Sequence, residues 1–173
     1  MTQQQPFAAR RRRRSPIVPV HGIEEAVTAL DEVGAATVIL DVEPMIARWH
    51  APAEVYIDGA CAFLDAIADG APGVSAVVIA SNSSRARPPV AAAVPVALRV
   101  AAGKPWRTDY LRGISRPVAV IGDQVLTDGL LALRLRGVFL HWHHDLPVPW
   151  WPRLQRLAGR FVRPLAFERR GNR

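Results

Sequence analysis

The chain of 173 residues has one cysteine, one lysine and no apolar run long enough to cross a bilayer. Cys61 alone excludes an internal disulfide and offers no cysteine spacing for a metal; within the apolar helical stretch 60–64 it reads as a buried, inert thiol. A membrane-spanning helix needs roughly 18 apolar residues, so the expected location is cytoplasmic, with peripheral attachment to the inner membrane face as the one route to a bilayer. An export signal is rejected as well. Residues 15–25, behind an arginine run, hold prolines and acids where an apolar segment of roughly 7–15 residues would stand. The basic segments also lack interleaved aromatics for stacking bases, which ranks nucleic acid below other partners.

What is present agrees with one domain. The length suffices to bury a sizeable core, and 50% hydrophobic content is ordinary for a globular protein. The net charge of +7 hides a segregation: five arginines fill residues 10–14, seven more lie beyond residue 149, and the stretch between carries an excess of acids. Residues 1–16 read as a disordered arginine-rich tail, 17–145 as the folded domain, and 146–173 as a basic amphipathic helix with a short tail. A first helix is expected over residues 23–33, ahead of the first strand. For the N-terminal arginines, attraction to anionic lipid or nucleic acid stands beside a plain solvated tail.

Three continuous apolar or β-branched runs, residues 37–40, 74–80 and 117–121, are separated by helix-compatible sequence. Continuous runs are strands buried on both faces, and strands alternating with helices make a parallel sheet. Polar residues just past such strands gather along one edge, where ligands bind. Asp41 follows the first run, Ser81 and Asn82 the second, Asp123 and Asp128 the third. The single lysine, Lys104, lies between them in Ala-Gly-Lys-Pro, in a chain that otherwise uses 21 arginines. A lone ammonium there fits a site that needs a compact point charge instead of a planar fork.

The order strand-Asp, strand-Ser-Asn, Lys-Pro and strand-Gly-Asp-Gln-x-x-Thr-Asp resembles the haloacid dehalogenase (HAD) phosphohydrolase superfamily, and within it the small class III proteins of YqeG type. The similarity covers about residues 23–140, and Gly122 to Asp128, with Gly137 opening the next strand, is its most specific part. The resemblance implies a single Rossmann-like α/β domain, a parallel sheet of about five strands flanked by helices, and no large cap. It implies a Mg2+-dependent phosphomonoester hydrolase with an aspartyl-phosphate intermediate. Asp41 would be the nucleophile, and Asp41, Asp123 and Asp128, with a backbone carbonyl near Glu43, the Mg2+ cage. Ser81, Asn82 and Lys104 would hold the transferring phosphate. Some relatives act on phosphatidylglycerophosphate, so a lipid head-group phosphate is among the implied substrates.

These residue types suit the chemistry. An aspartate attacking phosphorus splits one hard displacement into two easier ones. A hard divalent cation offsets the repulsion between carboxylate and phosphate, and a hydroxyl and an ammonium complete the electrostatic set. The chain departs from the family at Asp41-Val42-Glu43-Pro44-Met45. Glu43 replaces the usual second aspartate, the general acid and base, with a longer side chain, and Met45 removes a hydroxyl that helps set the loop. The alternative is therefore a catalytically weak or inactive HAD-like module that binds partners through its basic ends.

Residues 151–163 read as a helix with Pro152 in its first turn and Pro164 ending it. Trp151, Leu154, Leu157, Ala158, Phe161 and Val162 share one face; Arg153, Arg156, Arg160 and Arg163 cluster on the other. That pattern suits a membrane interface, although docking of the apolar face on the domain itself or a second subunit is the expectation slightly preferred. His141, His143, His144 and Asp145 form either a metal-binding cluster or a polar edge loop. Trp49 and His50 are candidates for the pocket mouth, and Arg85 and Arg87 for a second anionic group of the substrate.

Overall fold

The computed structural model describes residues 15–169, apart from 85, 87 and 148. Its elements run β1 (Ser15–Val20), α1 (Ile23–Glu32), β2 (Thr37–Leu40), α2 (Ala53–Gly70), β3 (Ala76–Ala80), β4 (Val96–Arg99), β5 (Val118–Gly122), α3 (Leu130–Leu135), β6 (Val138–Trp142), α4 (Trp150–Ala166) and β7 (Phe167–Arg169). A wide helical turn at Val125–Gly129 leads into α3. The strands form one sheet in the order β4-β3-β2-β5-β6-β1-β7, and every pairing in it is parallel. This is a Rossmann-like α/β arrangement.

The central strands are apolar throughout because both faces are covered. Val38 and Leu40 of β2 join the core that also holds Ala26 and Leu30 of α1 and Tyr56, Ala60, Phe63 and Ile67 of α2. Ile39, one residue out of phase, joins the opposite core with Leu131 and Leu135 of α3 and Phe139 of β6. The buried residues of α2 recur every three or four positions, the period that aligns one helical face. Gly34, with φ of +60°, lets the chain leave α1 in the left-handed region where a side chain would be strained.

The sheet has seven strands where about five were expected. Residues 15 and 16, expected within the disordered tail, begin β1, which pairs with β6 and β7. Its two prolines stand in register with neighbouring strands, Pro16 with Glu168 of β7 and Pro19 with His141 of β6. One of the added strands, β4, lies in the segment before Lys104. The first helix is where the sequence placed it. Cys61 lies in α2 as expected but is only half-buried. Residues 1–14 and 170–173, Arg85 and Arg87 lie outside the described residues. Among the described residues, the stretches where a cap would be inserted hold only α2, β4 and a short 3-10 turn.

The C-terminal segment is not an appendage. β7 pairs with β1, and Pro164 does not end α4, which continues to Ala166. The helix docks by Pro152, Gly159, Val162 and Ala166, residues without long side chains that share one face. A Cβ on Gly159 would stand 3.1 Å from Val125 Cβ, so glycine permits this close approach. Of the apolar face expected to dock, only Val162 does: Trp151, Leu154, Leu157, Ala158 and Phe161 point outward, and with Trp150 and Leu165 the large ones are 50–77% exposed.

Candidate functional site

Register brings the charged residues together. Leu40 pairs with Ile79 on one side and Ile121 on the other, so Asp41, one step beyond, and Ser81 and Asp123, two steps beyond, come to the same carboxyl edge. The Asp41 amide donates to Ile121 O at 2.9 Å, which holds the nucleophile candidate against β5. Asn82 then fixes the lysine loop: its Nδ2 donates to Lys104 O at 3.0 Å, and its Oδ1 accepts from Lys104 N at 2.7 Å. Both ends of the amide that was expected to bind phosphate are thus taken up by the Lys104 backbone.

Lys104 Nζ donates to Asp41 Oδ1 and Asp128 Oδ1, each at 2.7 Å, with all three residues buried. Asp128 reaches this position because residue 122 is glycine; a Cβ there would lie 2.4 Å from the Asp128 carboxyl carbon. Asp128 Oδ2 also accepts from Gln124 N at 3.3 Å and Thr127 Oγ1 at 3.2 Å, so the Gly-Asp-Gln-x-x-Thr-Asp segment closes on its own last carboxylate. Glu43 faces the same pocket and accepts from Ser81 Oγ at 2.9 Å.

Lys104 bonds two of three neighbouring buried carboxylates, Asp41 and Asp128, and Asp123 stands beside them. Burial raises the Asp41 carboxyl well above the usual range, with the Asp128 charge adding to the rise and Lys104 only partly opposing it. Asp128 is raised for the same first reason, burial, against the pull of Lys104. Burial acting alone would lower the Lys104 pKa, but the Asp128 and Asp41 carboxylates outweigh it and raise it. The cluster holds more negative charge than the lysine can balance.

That imbalance and one orphaned atom fit a divalent cation. Asp41, Asp123 and Asp128 bring carboxylate oxygens within 4.8 Å of one another. Asp123 Oδ1 is buried without a hydrogen-bond partner, a state that a hard cation with oxygen ligands would relieve. Asp123 Oδ2 is taken: Arg156 Nη2 of α4 donates to it at 2.8 Å, and His144 Nε2 stands 3.5 Å away. The Arg156 guanidinium also meets His144 Nε2. No family model, curated protein or solved structure matches this chain. The chemical reading of the site therefore stands on its own residues and on the resemblance of its motifs.

A cavity of about 360 Å3 opens over this edge, lined by Asp41, Glu43, Ser81, Lys104 and Thr127. Trp49 and His50 line it, as the sequence suggested, and so do Trp151, Pro152 and Gln155 of α4, which it did not. The histidines supply no second metal centre: among the described residues the aspartate trio alone brings three potential ligands together. His141 instead packs edge to face against His143 and sets its Nε2 against Asp123 O at 3.1 Å. Burial, followed by the neighbouring His143, lowers its pKa to about 4. Arg156 is the site residue that sequence reasoning missed. Its only signal was an arginine stripe whose purpose the helix periodicity left open.

Proposed function

We propose that the protein is a Mg2+-dependent phosphomonoester hydrolase of haloacid dehalogenase type that works through an aspartyl-phosphate. The observation that carries this reading is the junction of Lys104 with Asp41 and Asp128 beside the unpartnered Oδ1 of Asp123, opening onto a cavity that Glu43 and Ser81 also line. Asp41, Asp123 and Asp128 would hold the cation. When bound, it would neutralise the surplus carboxylate charge and that of the phosphate approaching it.

Asp41 Oδ1 accepts from both Lys104 Nζ and the Val42 amide, which leaves Oδ2 as the attacking oxygen. The new Oδ2–P bond forms as the ester P–O bond breaks, and the departing alkoxide takes a proton from the Glu43 carboxyl. Glu43, now ionised, accepts a proton from water as that water attacks phosphorus, releasing phosphate and restoring Asp41. Ser81 orients Glu43 through their 2.9 Å hydrogen bond, and Lys104 stabilises the charge on the transferring oxygens.

The location that goes with this reading is a reducing cytoplasmic compartment, consistent with one free thiol at Cys61. No helix of the described residues is long and apolar enough to cross a membrane. The rival, a binding module without catalysis, draws support from the exposed face of α4 but gives no reason for four buried charges at one edge.

The test is phosphate release from a small aryl phosphate and from a panel of phospholipids, with and without Mg2+. Wild type should turn over only with the metal. Asp41→Asn should lose activity by about 10⁴-fold or more. Glu43→Asp tests the longer carboxylate, whose misplacement would withhold part of the roughly 10²- to 10⁴-fold that general acid catalysis contributes. Turnover that survives in Asp41→Asn, or none on any substrate even after Glu43→Asp, would reject the proposal.

A further inference from the structure

The apolar strip of α4 is the largest feature that the proposed chemistry leaves unused. It begins with Trp150 and Trp151, passes through Leu154, Leu157 and Phe161, and ends at Leu165, all exposed. Such a strip on a soluble protein marks an interaction surface, because isolated exposed apolar residues are common and a continuous helical row is not. Docking on the chain's own core is excluded, since the helix already packs by its other face through Pro152, Gly159 and Val162.

We infer that this strip seats in the interface of an anionic lipid bilayer. The charge around it selects that occupant. Residues 150–166 contain four arginines and no acid, and Arg153 and Arg160 are exposed along one flank of the strip. Two copies of this helix pressed face to face would bring like charges together, whereas anionic head groups would complement them. Tryptophans at the start of the strip suit the depth of the head groups, and an amphipathic helix of this kind lies in the interface plane with its apolar side roughly 5–10 Å into it.

At its C-terminal end the strip leads into β7, where Phe167, the residue directly after α4, is the register partner of Ser15. At the opposite end Trp151 lines the candidate active-site cavity. A bilayer held by α4 would thus meet the flank of the domain with the cavity mouth at one end of the contact. This inference stands apart from the hydrolase reading: a protein without activity would bind in the same way.

The experiment is flotation of the full-length chain with vesicles of phosphatidylcholine alone or of phosphatidylcholine mixed with phosphatidylserine. Binding is expected to the mixed vesicles and not to the neutral ones. Arg153→Ser with Arg160→Ser should weaken it about 30-fold, at roughly 1 kcal/mol per arginine near the surface. Leu157→Ser with Phe161→Ser should weaken it at least about tenfold by removing apolar insertion. No binding to mixed vesicles overturns the inference. So does undiminished binding by the Leu157 and Phe161 variant, which would assign the contact to the arginines alone. A wild-type dimer that this same variant splits, measured by analytical ultracentrifugation, would give the strip to a second copy and overturn it as well.

Discussion

Charge and apolar surface are arranged in opposite ways at the carboxyl edge and on α4. At the edge, four charged side chains from distant parts of the chain are buried together, and Lys104 bonds two of them, Asp41 and Asp128. On α4, Arg153, Arg160 and the large apolar groups alike face solvent. Burying charge is unfavourable unless other groups compensate, so the edge is an arrangement that folding alone would not select. Exposing a row of large apolar groups is unfavourable too, and it points to something outside the chain. Arg156 belongs to both regions, since it leaves α4 to hold Asp123.

The largest effect that would break this contrast concerns Lys104. Lys104→Met leaves Asp41 and Asp128 buried without their only ammonium. Breaking one side of a buried pair destabilises by about 3–5 kcal/mol, and urea denaturation in chelator should read a loss of that size. Saturating Mg2+ should recover part of it, because a cation on Asp41, Asp123 and Asp128 replaces the missing positive charge. A variant as stable as wild type in chelator would mean that the carboxylates are not strained by one another.

A smaller effect tests the histidines between the two regions. Burial pushes His141 down to about 4 in the folded state, against an ordinary value near 6.5. As pH falls from about 6.5 towards 4 the unfolded chain takes a proton that the native one refuses. Stability contributed by neutral His141 is therefore present above the upper value and is lost by about 2–3 kcal/mol across that window. Asp41 and Asp128, whose carboxyls burial raises, act in the opposite direction. The difference between wild type and His141→Gln isolates the histidine: the variant should show a flatter acid limb, and parallel limbs would dismiss the effect.

Much of the edge was legible in the sequence because local chemistry and strand order both report on it. Continuous apolar runs located β2, β3 and β5, and the polar residue after each run had only one edge to occupy. Asp41, Ser81, Asp123, Asp128 and Lys104 came together as that logic required. Strands β1 and β7 were not legible. One contains prolines and the other is three residues long, so neither shows the run that marks a buried strand; pairing with neighbours stabilises both. The role of Asn82 was hidden for a different reason: a side-chain amide bonds equally well to phosphate and to a neighbouring backbone. On α4 the period was legible and the face was not. Helical periodicity identifies which residues share a side but not whether large or small ones dock, and here the close fit of Gly159 against Val125 decided it.

Arg156 offers a finer test of how far the two regions depend on each other. Its guanidinium holds Asp123 Oδ2 and leaves Oδ1 free for the cation. Partners that orient a metal ligand are typically worth about 10- to 100-fold in metal affinity. Arg156→Ala should raise the Mg2+ concentration for half-maximal turnover within that range, and Arg156→Lys should recover part of it. A fall in maximal rate with unchanged Mg2+ dependence would instead assign Arg156 a purely structural role.

The smallest expected effect sharpens the contrast most directly. Phe161 and Leu157 are 77% and 53% exposed, so replacing both with serine removes little that folding had buried. Surface substitutions away from buried features usually change stability by no more than about 0.5 kcal/mol, and the thermal midpoint of Leu157→Ser with Phe161→Ser should stay close to that of wild type. Gly159→Leu, on the docked face, should lower it clearly, because a Cβ alone already stands 3.1 Å from Val125. Equal losses from the two variants would mean that the apolar strip packs within the protein in solution. A loss confined to Gly159→Leu would show that α4 holds its place by its small residues, and that its large ones are spare to the fold.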